Sequence, residues 1–198
     1  MIIGLSGYAR AGKDTIGDYL VEEYGFKKMA FADKMREFLY QVNPVIHEYG
    51  WTNINYHIDS YPVRLRDVID KFGWEGAKVT AYKDEIRGLM QRLGTEAGRE
   101  TMGENVWVDA LFSNLDLRDD IVITDMRFPN EAVAIGGSPG GVTWRVERPG
   151  IRPAGDHPSE ISLDHWPFDH VLQNDGTVDE LHWKIDKHLE ATTLIQQI

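Results

Sequence analysis

With 198 residues, 42% of them hydrophobic and 27% charged, the chain can build one substantial core and falls within ordinary globular usage. A formal charge of −11 excludes a broad electrostatic grip on duplex nucleic acid, so any bound anion must sit in a local basic pocket. The lack of cysteine excludes disulfides, thiolate zinc sites and cysteine nucleophiles and fits a reducing cytoplasm; no apolar run approaches the ~18 residues of a membrane span.

The chain opens on an apolar strand, Ile2–Ser6, where a secretory leader would carry a basic stretch and a long apolar one. It runs directly into GYARAGKDT, and the spacing is GxxxxGK followed by x-T. Strand before and helix after are the setting in which this spacing makes a phosphate cradle. Gly7, Ala9, Arg10, Ala11 and Gly12 are small or turn-compatible enough to let backbone N–H groups converge on one anion, and the following helix adds its positive end. Lys13 is placed to reach the outer phosphates of a nucleotide as a point charge. The strict motif has a hydroxyl after the lysine; here Asp14 stands there, and Thr15 is the hydroxyl expected to ligate Mg²⁺. A helix over Thr15–Tyr24 follows, with Ile16, Leu20, Val21 and Tyr24 on one face and Gly25 as its C-cap.

A second strand is expected at Lys28–Phe31 and a helix at Asp33–Gln41, stopped by Asn43-Pro44. About ninety residues separate this strand from the next, far more than a crossover needs, and the excess reads as a mostly helical subdomain at the sheet's rim. Within it, helices are expected over Val63–Phe72 and Asp84–Glu100, followed by Val108–Leu115. The aromatic-rich YGWTNINYHIDSYP reads equally as subdomain packing, a base-stacking surface or a contact in a homodimer. Arg92 and Arg99 are two helical turns apart, so α-helical spacing puts them, with Glu96 nearby, on one face.

The third strand, Ile121–Asp125, ends in a carboxylate at the edge where parallel sheets bind ligands, so Asp125 is the expected partner of Thr15 around Mg²⁺. Arg127 follows in the loop and is placed to face a transferred phosphate, before a short helix near Asn130–Ile135. Strand four, Val142–Glu147, puts Arg145 and Glu147 on one face and Arg148 on the other. Arg148 and Arg152 flank a Pro-Gly bend and are candidates to swing inward when substrates bind. Strand five is His170–Gln173, and Thr177 caps a last helix over Val178–Leu189. Ser159 has no nucleophile elbow and the histidines no metal spacing, which argues against a hydrolase and a zinc site. Strands alternating with helices define an α/β fold with a parallel sheet covered on both faces.

Six stretches in this order, LMQRLGTEAGRETMGENVWVDAL, ITDMRFPNEAVAI, RVERPG, HPSEISLD and NDGTVDEL together with the GKxT loop, resemble bacteriophage deoxynucleoside monophosphate kinases, P-loop kinases related to adenylate and dephospho-coenzyme A kinases. The resemblance runs from Met1 to about Leu189 and is weakest between Asn43 and Tyr82. It implies a five-stranded parallel sheet, a helical acceptor-binding region (about 43–100), a small lid (about 148–167) and a core formed by about 1–42, 101–147 and 168–198. It also implies transfer of the γ-phosphoryl of ATP, with Mg²⁺, to a dNMP, for DNA precursor supply in the host cytoplasm. Lys13, Arg127 and Arg148 would then be catalytic. Asp33, Lys34, Arg66, Arg92, Glu96, Arg99, Arg152 and Glu160 would line the acceptor and lid regions. Asn174 and Gly176, in NDGT, occupy the place where related kinases wrap the adenine. Two other readings stay open: a P-loop kinase acting on a modified base in DNA, and an ATP-binding regulatory module without transfer.

Overall fold

Strand β1 (Ile2–Ser6) is buried along its whole length and forms the middle of a parallel sheet in a computed structural model that describes residues 1–54 and 57–195. The chain divides into two units, Met1–Phe31 with Val108–Ile198, and Ala32–Trp107.

In the first unit, helix α1 (Lys13–Tyr24) leads from β1 to β2 (Lys27–Met29), and the sheet is completed by β5 (Ile121–Ile123), β6 (Gly141–Glu147) and β7 (His170–Gln173). The order is β2-β5-β1-β6-β7, all parallel, with Ile2 opposite Ile121 on one side and Gly141 on the other. The chain thus leaves β1 between two strands that it reaches only later, and the loop after β1 opens at a topological switch point. Alternation sends Ile3 and Leu5 to one face, where they pack with Trp144, Ile16 and Leu20 of α1, and Leu181 and Ile185 of α9 (Val178–Ile195). Ile2, Ile121 and Ile123 face the other way, against Leu111 of α6 (Val106–Phe112) and Ala132 and Ile135 of α7 (Pro129–Gly136). Covering both faces is what allows the three inner strands, β5, β1 and β6, to be this apolar.

The second unit begins with α2 (Ala32–Val42) and continues into an antiparallel pair, β3 (Val45–Ile54) and β4 (His57–Arg64). This hairpin interrupts a stretch between strands two and three that is otherwise mostly helical, as its length and pattern lead one to expect. Val63 and Arg64, expected to open a helix, instead end β4, and α3 (Leu65–Ala77) starts at Leu65. The Asp67 carboxylate accepts from the Arg64 backbone N–H (2.9 Å), which stops the strand there and starts the helix. The aromatic question raised by residues 49–62 falls largely outside the described side chains.

Helix α4 (Lys83–Arg92) runs into a π-helical segment, Leu93–Arg99, and then α5 (Glu100–Met102). The wider i→i+5 turn means seven residues no longer complete two turns, so Arg92 and Arg99 lose the shared face that α spacing implies. Arg92 is exposed and Arg99 half-buried. The Trp107 indole N–H donates to the Gly94 carbonyl (3.0 Å), satisfying an acceptor in the widened segment. Leu39, Leu65, Val68, Ile86, Leu93 and Trp107 form the core of this unit.

Candidate functional site

The loop from Gly7 to Gly12 is a backbone cradle whose shape is set by sterics. Gly7 has φ 138° and a Cβ there would lie 2.4 Å from the Val146 carbonyl oxygen of β6. Gly12 has φ 112°, with Asn174 Nδ2 2.4 Å from where its Cβ would be. Arg10, at φ 67°, holds the same left-handed region without glycine's freedom. The Ala11 N–H donates to the Tyr8 carbonyl (3.1 Å), and Asn174 Nδ2 donates to the Ala11 carbonyl (2.8 Å), so the loop is braced from the end of β7. Gly12 caps α1 without any side-chain hydrogen bond, leaving the first-turn N–H groups to face the cradle. Such a turn favours an anion through both its donors and its dipole.

Lys13 folds back over this loop, its Nζ donating to the carbonyls of Gly7 (2.6 Å) and Tyr8 (2.9 Å). Burial, and after it the positive charge of Arg127, push its ammonium down to about 8 from an ordinary 10.5; Asp14, Glu160 and Asp125 pull the other way. Those four residues are therefore the electrostatic surroundings of Lys13. An incoming polyanion would restore the charged form. Affinity for a polyphosphate anion is accordingly expected to be flat up to pH 8. Above that it should fall towards tenfold per pH unit, because the free protein has lost a proton that the complex must take up. Dissociation constants measured between pH 7 and 9.5 check this; Lys13→Arg, whose charge does not titrate in that range, should flatten the profile.

Asp125 lies just beyond β5, which ends at Ile123, and one of its carboxylate oxygens accepts from the Phe31 backbone N–H (2.7 Å). Arg127 is held from two directions. The buried Glu131 carboxylate accepts from the Arg127 (2.6 Å) and Phe128 (3.1 Å) backbone N–H groups, fixing the turn into α7. The Arg127 guanidinium donates to the Ser159 carbonyl (3.0 Å) and to Glu160 (3.2 Å), in α8 (Pro158–Ile161). Glu160, assigned by resemblance to the acceptor or lid region, is thus the ion-pair partner of Arg127, with a side chain only 6% exposed. Thr15 is exposed on the first turn of α1. Asp14 points outward, 78% exposed and paired with Lys28 (3.4 Å), which also binds Asp18. Lys28 thus partly offsets the extra negative charge of the motif, which still acts on Lys13.

Beside the loop, a cavity of about 340 Å³ is lined by Tyr8, Ala11, Arg145, Glu147, Arg148 and Gln173 among others. The Arg148 and Arg152 side chains are exposed and form no hydrogen bond or ion pair among the described residues. Gly176 lies at the foot of α9, where Thr177 and Glu180 make a reciprocal cap: Thr177 N–H donates to the Glu180 carboxylate (2.7 Å) and Glu180 N–H to the Thr177 hydroxyl (3.2 Å).

The remaining sequence candidates belong to the second unit. Asp33 pairs with Arg36 (3.1 Å) and Lys34 with Glu37 (2.9 Å), both within α2. Arg66 donates to the carbonyls of Tyr40 (2.8 Å) and Gln41 (3.2 Å) and lies over the Tyr40 ring, closing the C-terminal end of α2. Arg99 donates to the Glu104 carbonyl (2.9 Å), while Arg92 and Glu96 are exposed. Sequence reasoning gave no role to Tyr8, Arg145, Asp164 or Glu131. The available signal was a lone arginine in the apolar run GVTWRVE, since a buried guanidinium demands partners.

The described residues contain no helix long and apolar enough to cross a membrane. Residues 68–185 match a family model described as deoxynucleotide monophosphate kinase. The chain is 30% identical over 192 residues to a protein of Acanthamoeba polyphaga mimivirus named in that family, covering 93% of this chain and 94% of the relative. It is 25% identical over 241 residues to the deoxynucleotide monophosphate kinase of Enterobacteria phage T4, covering 96% and 99%. Among solved structures, shikimate kinase from Aquifex aeolicus superposes with a TM-score of 0.48 at 14% identity, over 98% of this chain and 99% of that one.

Proposed function

The chain belongs to the deoxynucleotide monophosphate kinase family, and from that premise we propose that it transfers the γ-phosphoryl of ATP to the 5′-phosphate of a deoxynucleoside monophosphate. The observation that carries this reading is the cradle itself: a strained glycine loop opening a helix, with Lys13 laid across it and Arg127 close enough to depress the Lys13 pKa. Two cations beside a set of backbone donors suit a phosphate chain and little else.

The chemistry needs no general base. The acceptor phosphate has a second pKa near ~6, so its attacking oxygen is already ionised at neutral pH. Catalysis is then alignment of two polyanions plus cancellation of their repulsion. In this reading the loop N–H groups and Lys13 hold the β- and γ-phosphates, and Arg127 meets charge that spreads over the γ-phosphoryl oxygens in the transition state. Glu131 keeps the Arg127 backbone in place while its side chain exchanges the Ser159 and Glu160 contacts for phosphate. Arg148 and Arg152, without competing partners among the described residues, are the lid cations. The cavity beside Tyr8, with Asn174 and Gly176 nearby in sequence, takes the sugar and base of ATP. Thr15 and Asp125 would hold Mg²⁺ through a hydroxyl and a carboxylate, an oxygen-only pair that suits this hard cation. When bound, that ion would neutralise part of the phosphate charge.

The acceptor is assigned to the second unit, where Arg92, Glu96 and Arg99, with Asp33, Lys34 and Arg66, supply the charged groups. Replacing Arg92 by alanine should raise the dNMP KM about tenfold and leave the ATP dissociation constant within twofold, since the exposed side chain supports no core contact. A parallel rise in both constants would remove Arg92 from the acceptor site. The reading extends to precursor supply for DNA synthesis in the cytoplasm of an infected cell, in keeping with relatives encoded by T4 and a mimivirus.

The test is ADP release in a coupled assay with ATP, Mg²⁺ and each of dAMP, dCMP, dGMP, dTMP and 5-hydroxymethyl-dUMP, against AMP and no acceptor. Turnover with one or more deoxynucleotides is expected. Turnover with none, while ATP still binds, would sink the proposal.

A further inference from the structure

One buried cation, Arg145, lines the cavity beside Tyr8 but is given no step in the proposed phosphoryl transfer. Arg145 lies on β6 directly opposite Ser6 in the β1 ladder, one residue before the Val146 carbonyl that constrains Gly7. It is 8% exposed. Its guanidinium carbon sits 4.7 Å from the centroid of the Tyr8 ring and 5.7 Å from that of Phe168, and its Nη2 donates to Asp164 Oδ1 at 3.0 Å.

Three separate pieces of chain therefore meet at one side chain: the glycine loop through Tyr8, the sheet through β6, and the segment after α8 through Asp164 and Phe168. Burying a guanidinium is costly unless its charge is matched and its donors are used. Here Asp164 matches the charge, and the two rings offer their negative faces. The Tyr8 carbonyl is also one of the two acceptors of the Lys13 ammonium, so the ring held by Arg145 and the carbonyl that parks Lys13 belong to the same residue. Segment 158–164 is pinned twice, by Arg127 at Ser159 and Glu160 and by Arg145 at Asp164, and these arginines belong to the chain at β5 and β6, the two neighbours of β1.

We propose that Arg145 is a positioning residue of the kinase: it clamps Tyr8 against β6, with Asp164 as counter-ion, and so holds the Gly7–Gly12 loop in the shape that receives the ATP phosphates. The inference rests on the kinase reading. Its chemistry is specific to a planar cation, because one group must stack on a ring and direct an N–H to a carboxylate together. Lysine keeps the charge and loses that geometry. A loop that is no longer held must be ordered at the moment of binding, so the loss falls on ATP and spares the acceptor.

The experiment measures ATP dissociation constants and both KM values for the wild-type chain, Arg145→Lys, Tyr8→Leu, the double variant and Tyr8→Phe. Each of Arg145→Lys and Tyr8→Leu is expected to weaken ATP about tenfold, with the dNMP KM within twofold. The double variant should be no weaker than about tenfold, because both changes break one contact. Tyr8→Phe, which keeps the ring, should recover most of what Tyr8→Leu loses. Tyr8 lies in a loop, so its variants remain informative even where Arg145→Lys impairs folding. Unchanged ATP affinity in Tyr8→Leu or in a folded Arg145→Lys would overturn the clamp, as would a double variant about a hundredfold weaker, the result for two independent contacts. If the wild-type chain fails to bind ATP, the kinase reading falls and the clamp falls with it. If the wild-type chain binds ATP and the variants bind equally well, only the clamp falls.

Discussion

Lys13→Ala is expected to lower kcat/KM for ATP by roughly a thousandfold, about 4 kcal/mol of transition-state stabilisation. The loss should be shared between ATP binding and kcat, because in the proposed reading the ammonium meets the outer phosphates in the ground state and their growing charge in the transition state. Thermal stability should hardly move at neutral pH. In the free protein Lys13 is held at about 8, against an ordinary 10.5, chiefly because its charge is partly buried. Its folded pKa lies below its unfolded one, so between those values the unfolded chain binds more protons and this group makes stability rise with pH. Lys13→Ala should remove that rise. A comparison of melting temperatures at pH 7 and pH 9.5, beside the kinetics, separates loss of function from loss of fold. A variant that retained a tenth or more of wild-type kcat/KM would take Lys13 out of the phosphate site.

Gly7→Ala is expected to be nearly as severe by a different route. A Cβ at Gly7 would sit 2.4 Å from the Val146 carbonyl oxygen, which is backbone held in the β6 ladder and cannot swing away. The φ of 138° adds strain that any side chain feels. Together these should cost on the order of 1–3 kcal/mol of stability, or a melting temperature roughly 5 °C lower. ATP affinity should drop about a hundredfold, since a displacement near 1 Å suffices to spoil an aligned phosphate site. Gly25→Ala is the matched control: its φ of 73° is strained too, but no atom lies within 4 Å of its Cβ position. It should lower the melting temperature and leave ATP binding intact. Equal loss of ATP binding in the two variants would mean that global stability, not the cradle, decides affinity.

Much of the first unit was legible because its signals are local. The apolar run Ile2–Ser6, the GxxxxGK spacing and Gly25 as C-cap each depend on residues a few positions apart. All five strands of the sheet lie where alternation and turn residues point, with ends shifted by two residues at most. Thr177 caps α9 through the reciprocal bond to Glu180, a contact three residues long. The second unit was harder to read. Its hairpin begins at Val45, in a stretch whose aromatic and polar residues fit several structures, and its pairing is irregular between Val45 and Gly50. The π-helical turn at Leu93–Arg99 keeps a helix-like composition while changing its period, so the expected face shared by Arg92 and Arg99 did not survive.

The sequence by itself determined that β1 feeds a glycine loop and a helix, and that Lys13, Thr15, Asp125 and Arg127 stand just beyond the carboxyl ends of β1 and β5. Those conclusions need only the period of a strand, the φ tolerance of glycine and the place of a charge relative to both. Tertiary structure alone decided what each charge faces. Glu160 turns out to be the partner of Arg127 across 33 residues, Asn174 the brace of Ala11 across 163, and Arg145 the meeting point of Tyr8, Phe168 and Asp164. No local pattern encodes such pairs, because a buried guanidinium or carboxylate is stabilised by whichever opposite charge the strand order brings within hydrogen-bond reach.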